Sequence, residues 1–396
     1  MKNRFFAISF ALMIGCGLLH AQGLRFHGKV QNSIYALKSD QTHMFIYQYL
    51  QFSAAAAENQ ISLNGNLRAM SDARSDLASD QRFRTFALNV AFNQLFNNRL
   101  QVVAGRQFLH PGTALGALDG VLARLKVNER VGVQLYGGAE SAPSRELKLI
   151  EPRDHLVIGG MADLRRFYAT DVQLLYLQKM DRDGAYWQVA GLNLDNRSIR
   201  DTQVRLQAHF DLANSTLHRL LLNLRRSWND RLTTELEFKA QAPQVYANSY
   251  FTIFELETFQ QVRAAAAWQL NDTYALDGQY QLILTEGATA NRLFFGLHDR
   301  HGSAGLIYET GDYGDQLGVS ADYGYELVKN LTASVCIDYS RYRTETIYEY
   351  DQQLANAARL SYRAGRHWSA VVEYQWLTNR IEKQESRLLN HISFRW

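Results

Sequence analysis

Residues 204–212 read VRLQAHFDL, with Val204, Leu206, Ala208, Phe210 and Leu212 on one parity and Arg205, Gln207, His209 and Asp211 on the other. The alternation returns in 231–240, 261–270, 273–284, 317–326, 331–340 and 368–376, and in none of these segments does the apolar parity carry a charge. Period two puts alternate side chains on opposite faces of an extended strand, so each strand has one greasy face and one wet face. A soluble sandwich or a barrel in lipid supplies such surroundings. Length decides between them. The segments run 9–12 residues, enough for a tilted strand to cross a bilayer, whereas strands in soluble proteins average about 5–6. Trp268, Tyr323, Tyr325, Trp368 and Trp376 lie near the ends of apolar faces, where a water–lipid boundary favours amphipathic rings. A charge on the lipid face near the midplane costs about 2–4 kcal/mol, which explains the clean segregation.

The expected fold is therefore all-β: a single transmembrane antiparallel β-barrel with an even strand number, about 18–22. The first half is less regular, since 43–53 is apolar on both parities and 165–180 divides in more than one way. The stretches FNNRL, VNERV, WNDRL, LNDTY, VKNLT and AGRHW separate alternating segments by a few residues, and their Asn, Asp and Gly suit tight hairpins. Pro111, Pro143, Pro152 and Pro243 fall in longer connections, as ladder hydrogen bonding requires. Connections 139–153 and 242–256 are the candidates for an inward constricting loop, the second carrying Tyr246, Tyr250, Phe251 and Phe254.

The chain opens MKNRFFAISFALMIGCGLLHAQG. A basic start, an apolar run from Phe5 to Leu19 and small residues near Ala21 read as a signal peptide over 1–21, leaving a barrel over 22–396. The run is short for a membrane anchor; lipidation at Cys16 is the other reading. After the leader only Cys336 remains, so no disulfide framework is expected, and a net charge of +3 argues against nucleic acid. The chain ends ESRLLNHISFRW, with Leu388, Ile392, Phe394 and Trp396 on one parity. This ending resembles the signal read by the outer-membrane barrel-insertion machinery, with Phe394 and Trp396 as its aromatic residues, and the resemblance implies a Gram-negative-type envelope.

On the wet parity, early strands contribute a basic wall of Arg25, Lys29, Arg68, Arg124, Lys126, Arg205, Arg219 and Arg225. Late strands contribute an acidic wall of Glu235, Glu237, Asp277, Asp322, Asp338 and Glu373, with Arg231, Lys239, Arg263 and Arg359 interspersed. Facing walls would set up a transverse field across a pore; pairing across neighbouring strands is the plainer reading. The stretch VVAGRQFLHPGTALGALDGVLARL at 102–125 resembles a pattern in porin-like and alginate-export barrels, in which Gly-Arg-Gln closes one strand and Asp-Gly opens the next. The matching residues are Gly105, Arg106, Gln107, Asp119 and Gly120. A second reading makes the glycines a bulge or turn and pairs Asp119 with Arg106. Arg106 shares its parity with Leu100, Val102 and Ala104, so it must bulge inward or snorkel at the rim.

HDRHG at 298–302 looks more like a solvated turn than a catalytic or metal cluster, and no GxSxG, HExxH or Cys/His spacing occurs. The expectation is a non-enzymatic porin-like channel for small hydrophilic solutes, without cofactor. Its partners are outer-membrane lipid, the insertion machinery and the solute, and the apolar outward faces suit a second copy of the chain equally well. An exporter of an anionic polysaccharide and a non-conducting structural or adhesion barrel are the alternatives.

Overall fold

A computed structural model describes residues 24–38, 42–73, 82–109, 116–142, 145–147, 151, 153–242, 258–312, 314–343, 349–380 and 385–396. Its strands begin with β1 (Arg25–Lys38), β2 (Thr42–Ala56), β3 (Ile61–Asp72), β4 (Phe83–Gln94), β5 (Leu100–Leu109), β6 (Gly116–Lys126) and β7 (Val131–Glu140). Then come β8 (Leu156–Phe167), β9 (Thr170–Asp181), β10 (Gly184–Asn196), β11 (Thr202–Asp211), β12 (Thr216–Ser227), β13 (Leu232–Gln241) and β14 (Phe259–Gln269). The last are β15 (Ala275–Thr285), β16 (Ala288–His298), β17 (Gly302–Gly311), β18 (Gly314–Val328), β19 (Leu331–Arg343), β20 (Asp351–Ala364), β21 (Trp368–Thr378) and β22 (Glu385–Arg395). Neighbours in sequence pair antiparallel, and β1 pairs β22 from Lys29↔Arg395 to Lys38↔Ser386. The sheet is therefore a closed barrel of 22 strands, the even number at the top of the expected range.

The two rims differ. Connections from even to odd strands span two to five residues, whereas those from odd to even strands reach 17, at 242–258. On the short-turn rim one device recurs. Asn128 accepts from the N–H groups of Arg130 and Val131 at 2.8 and 2.8 Å, Asn229 from those of Arg231 and Leu232 at 2.8 and 2.8 Å, and Asn271 from those of Thr273 and Tyr274 at 2.8 and 2.9 Å. Asp299 does the same with His301 and Gly302 at 2.7 and 2.9 Å. These are Asx turns, in which a side-chain oxygen replaces a backbone acceptor across a tight reversal. Replacing Asn229 with alanine hands both donors of that exposed turn to water, and we expect a loss of about 0.5–1 kcal/mol, read as a lowered urea-unfolding midpoint of lipid-reconstituted protein. All four prolines and Tyr246, Tyr250, Phe251 and Phe254 lie outside the described residues, as do the leader and most of 242–256.

Outward positions form an apolar belt. Leu236, Phe295, Leu306, Val319, Val335, Leu360 and Leu388 are exposed there, a contiguous greasy surface whose solvent is hydrocarbon. Rings gather near its edge on the short-turn rim, among them Trp268, Tyr323, Tyr325 and Trp368. The seam between the first and last strands carries its own set. Phe26 stacks on Trp396 at 5.6 Å, Trp396 on Phe394 at 5.9 Å, and Trp368 meets Phe394 at 4.6 Å. The Trp396 backbone N–H donates to the Gly28 carbonyl at 3.2 Å, and the Trp396 indole lies where a Cβ on Gly28 would stand.

The inner face departs from expectation on one side. Period two predicts one wet face on every strand, yet Val103, Leu118, Leu122, Tyr136, Val157, Leu177, Trp187 and Val189 form a buried cluster there. The register carries these residues on the lumen parity of β5 to β10: Val103 faces Leu122, Leu122 faces Tyr136 and Leu177 faces Val189. These six of the 22 strands carry a packed inner face.

Candidate functional site: the barrel lumen

Strand register fixes which side chains face inward. Gln101 pairs with Arg124 and Arg124 with Gln134, and their side chains hydrogen-bond at 2.8 and 3.0 Å. Following such pairs around the barrel places all of the basic and acidic wall residues on the inner parity. Lys29 faces Gln51, Arg68 faces Tyr49, Arg205 faces Asp195, Arg219 faces His209 and Arg225 faces Glu235. Arg25 lies on the same parity of β1 and Lys126 on that of β6.

Every acidic-wall residue has a side-chain partner, and three of the six meet an arginine. Arg263 lies directly across from Glu237 and bonds the carboxylates of both Glu235 and Glu237, the latter at 3.3 Å. Arg359 holds Glu373 at 2.5 Å, and His298 meets Asp277 at 2.8 Å. Asp322 accepts from Ser303, and Asp338 from the Cys336 thiol at 3.4 Å. Late strands thus present a ladder of cross-strand pairs, the arrangement adjacent strands favour.

The motif residues lie elsewhere. Gly105, Gly120 and Gly138 occupy one row of the register across β5, β6 and β7. A Cβ on Gly120 would stand 2.7 Å from the Gly138 Cα, and Gly105 has φ 117°. The strands approach too closely here for side chains. One step further, Arg106 donates to both Asp119 oxygens at 2.6 and 2.7 Å and to the carbonyls of Thr85 and Glu146 at 3.3 and 2.5 Å. Arg106 and Asp119 are each 4% exposed, and Gln107 on the opposite parity is buried too. Arg106 therefore does not snorkel at the rim. Both faces of this strand end are covered, and the pair ties β4, β5 and β6 to the β7–β8 connection.

Sequence reading missed the inner face of β2. His43, Phe45, Tyr47 and Tyr49 share the parity of Gln51 and face the lumen, so this strand is apolar on both sides without having two lipid faces. Their rings follow one another at 5.6, 6.3 and 6.3 Å, with Tyr35 of β1 at 6.4 Å from Phe45. The signal was present as failed alternation in 43–53.

The 298–302 segment is one of the Asx turns. Its carboxylate, Asp299, is held below the usual range by the N–H groups of His301 and then Gly302, so its contribution to the turn is present at neutral pH and fades only as acid protonates it below that range. Among the described residues no helix is long and apolar enough to cross a membrane, and no group of three or more His, Cys, Asp or Glu side chains is placed to hold a metal.

No family model matches the sequence, and no curated protein matches it. Solved structures do match. The translocation pore of the P pilus usher PapC aligns over 94% of this chain and 99% of its own with a TM-score of 0.56 at 7% identity. OpdQ of Pseudomonas aeruginosa aligns over 94% and 98% with a TM-score of 0.48 at 10% identity, and OpdK of the same organism over 94% and 98% at 0.47 and 12%. At such identities the similarity to the usher pore concerns the fold: a large closed antiparallel barrel.

Proposed function

We propose that this chain is an outer-membrane channel through which small hydrophilic solutes pass passively. The observation that carries the reading is a closed 22-strand sheet with an apolar belt outside and charged side chains on the inner parity, a strand number at which barrels enclose an aqueous channel or a plugged lumen. Selection then rests on lumen width, the long-loop rim and wall charge, with no bond chemistry. The aromatic seam of Phe394 and Trp396 suits recognition by insertion machinery, and the belt suits lipid or a second barrel.

The resemblance to alginate-export barrels rests on Gly105, Arg106, Gln107, Asp119 and Gly120. Here Arg106 and Asp119 are spent on each other and on backbone carbonyls, so the motif supports the scaffold and supplies no ladder for a polyanion. Single-channel recording in planar bilayers tests the reading. We expect discrete conductance steps and a size cutoff for neutral sugars; a folded protein without conductance would instead be a structural or adhesion barrel. Block by an acidic polysaccharide but not by neutral sugars of similar size would favour the exporter.

A further inference from the structure

One arginine breaks the rule that keeps charge off the lipid parity. Arg226 of β12 shares the outward parity of Leu222 and Leu224 and is exposed. A charge on that face is costly at the bilayer midplane and tolerated near the headgroups, and Arg226 stands one residue before the end of β12 on the short-turn rim. The Trp228 ring holds it, with the ring centre 4.1 Å from the guanidinium carbon. Trp228 is itself fixed, since its indole N–H donates to the Thr234 hydroxyl at 2.9 Å. Arg197 and Arg200, in the β10–β11 turn, meet Asp195 and Asp201 at 3.1 and 3.3 Å, whereas among the described residues no Asp or Glu oxygen lies within 4.0 Å of Arg226.

Beside Arg226 the outer wall is notched. Its register row continues through Thr234, Ala266 and Gly278 to Phe295, and the next row toward mid-membrane runs Leu224, Leu236, Ala264, Tyr280 and Leu293. Ala264, Ala266 and Gly278 floor a groove of about 670 Å³, with exposed Leu236 on one flank and Tyr280 and Phe295 on the other. A Cβ on Gly278 would meet nothing nearer than the Phe295 ring at 3.8 Å, so the space is open and no close strand approach demands the glycine. Glu235 borders the groove but bonds its carboxylate to Arg263 inside the barrel. An apolar trough thus ends at one uncompensated cation, on the rim of short turns that faces the periplasm. Guanidinium forks match a phosphate, and the Trp228 ring suits the water–lipid boundary. An isologous contact with a second copy centred here would instead set the Arg226 side chains of both copies against each other. We propose that this groove binds one anionic phospholipid of the periplasmic leaflet, its phosphate on Arg226 and an acyl chain across Ala266, Gly278 and Ala264. The site rests on the lipid-facing outer wall and is independent of conduction through the lumen.

Native mass spectrometry of the detergent-folded full-length barrel tests the site. The probes are phosphatidylglycerol, phosphatidylethanolamine and diacylglycerol with identical acyl chains. We expect one phosphatidylglycerol retained per barrel, bound about tenfold more tightly than diacylglycerol and more tightly than phosphatidylethanolamine. R226Q should weaken phosphatidylglycerol about tenfold and leave diacylglycerol unchanged. A266L/G278L fills the trough and should weaken every probe. Heat-modifiability on gels confirms that each variant is folded. Phosphatidylglycerol retained no better than either other lipid, or bound unaltered by folded R226Q, would overturn the site. A parent dimer that A266L/G278L turns into a monomer would overturn it too, because a second copy would then occupy the groove. A barrel that binds phosphatidylglycerol in this pattern but never conducts would refute the channel reading and leave the site intact.

Discussion

Arg106→Leu is expected to destabilise the barrel by about 3–5 kcal/mol, read as a lowered urea midpoint in lipid vesicles, because it leaves the Asp119 carboxylate buried without a counter-charge. At 4% exposure on both sides, neither group has water to fall back on. The double variant R106L/D119L removes both charges, and we expect it to regain most of the loss, since an apolar pair of similar volume is often as stable as a buried ion pair. The carbonyls of Thr85 and Glu146 lose their donor in either case, so recovery stays incomplete. A single variant as stable as the parent would show that the pair is wetter than its packing indicates.

Arg263→Gln should produce the largest change in ion selectivity. Arg263 is the common partner of Glu235 and Glu237, and its removal takes away the cation that bonds both carboxylates directly, leaving the Asn223 amide at 2.8 and 3.2 Å. Reversal potentials across a salt gradient should move toward cation preference, by roughly twofold or more in permeability ratio. E235Q/E237Q should move them the opposite way. If both variants keep the parent reversal potential, ions do not pass along this wall.

Much of the architecture was legible because lipid enforces a strict rule. Wherever one face met hydrocarbon and the other met water, as in β11, β13 to β15, β18, β19 and β21, alternation could be read residue by residue. It failed where the inner face was greasy as well. In β2 the lumen parity is a ring series, and in β5 to β10 it is a packed cluster, so period two faded while the strands remained. The lumen parity of the charged residues was readable; their partners were not, because Glu235 and Arg263 are 28 residues apart and meet only through register. Arg106 shows the limit most sharply. Its parity matched the lipid-facing residues before it, yet the strand end is covered on both faces, and only the aligned glycines of β5, β6 and β7 hinted at so close an approach.

The closure of the cylinder has a practical consequence. Strands β1 and β22 meet on the short-turn rim, with Gly28 and Trp396 exchanging backbone hydrogen bonds, so a brief linker joining them would let new chain ends be opened in any hairpin of the opposite rim. Such a circular permutant keeps all 22 pairings while placing Phe394 and Trp396 in the middle of the chain. It would separate the contribution of their position along the sequence from that of their packing in the finished wall.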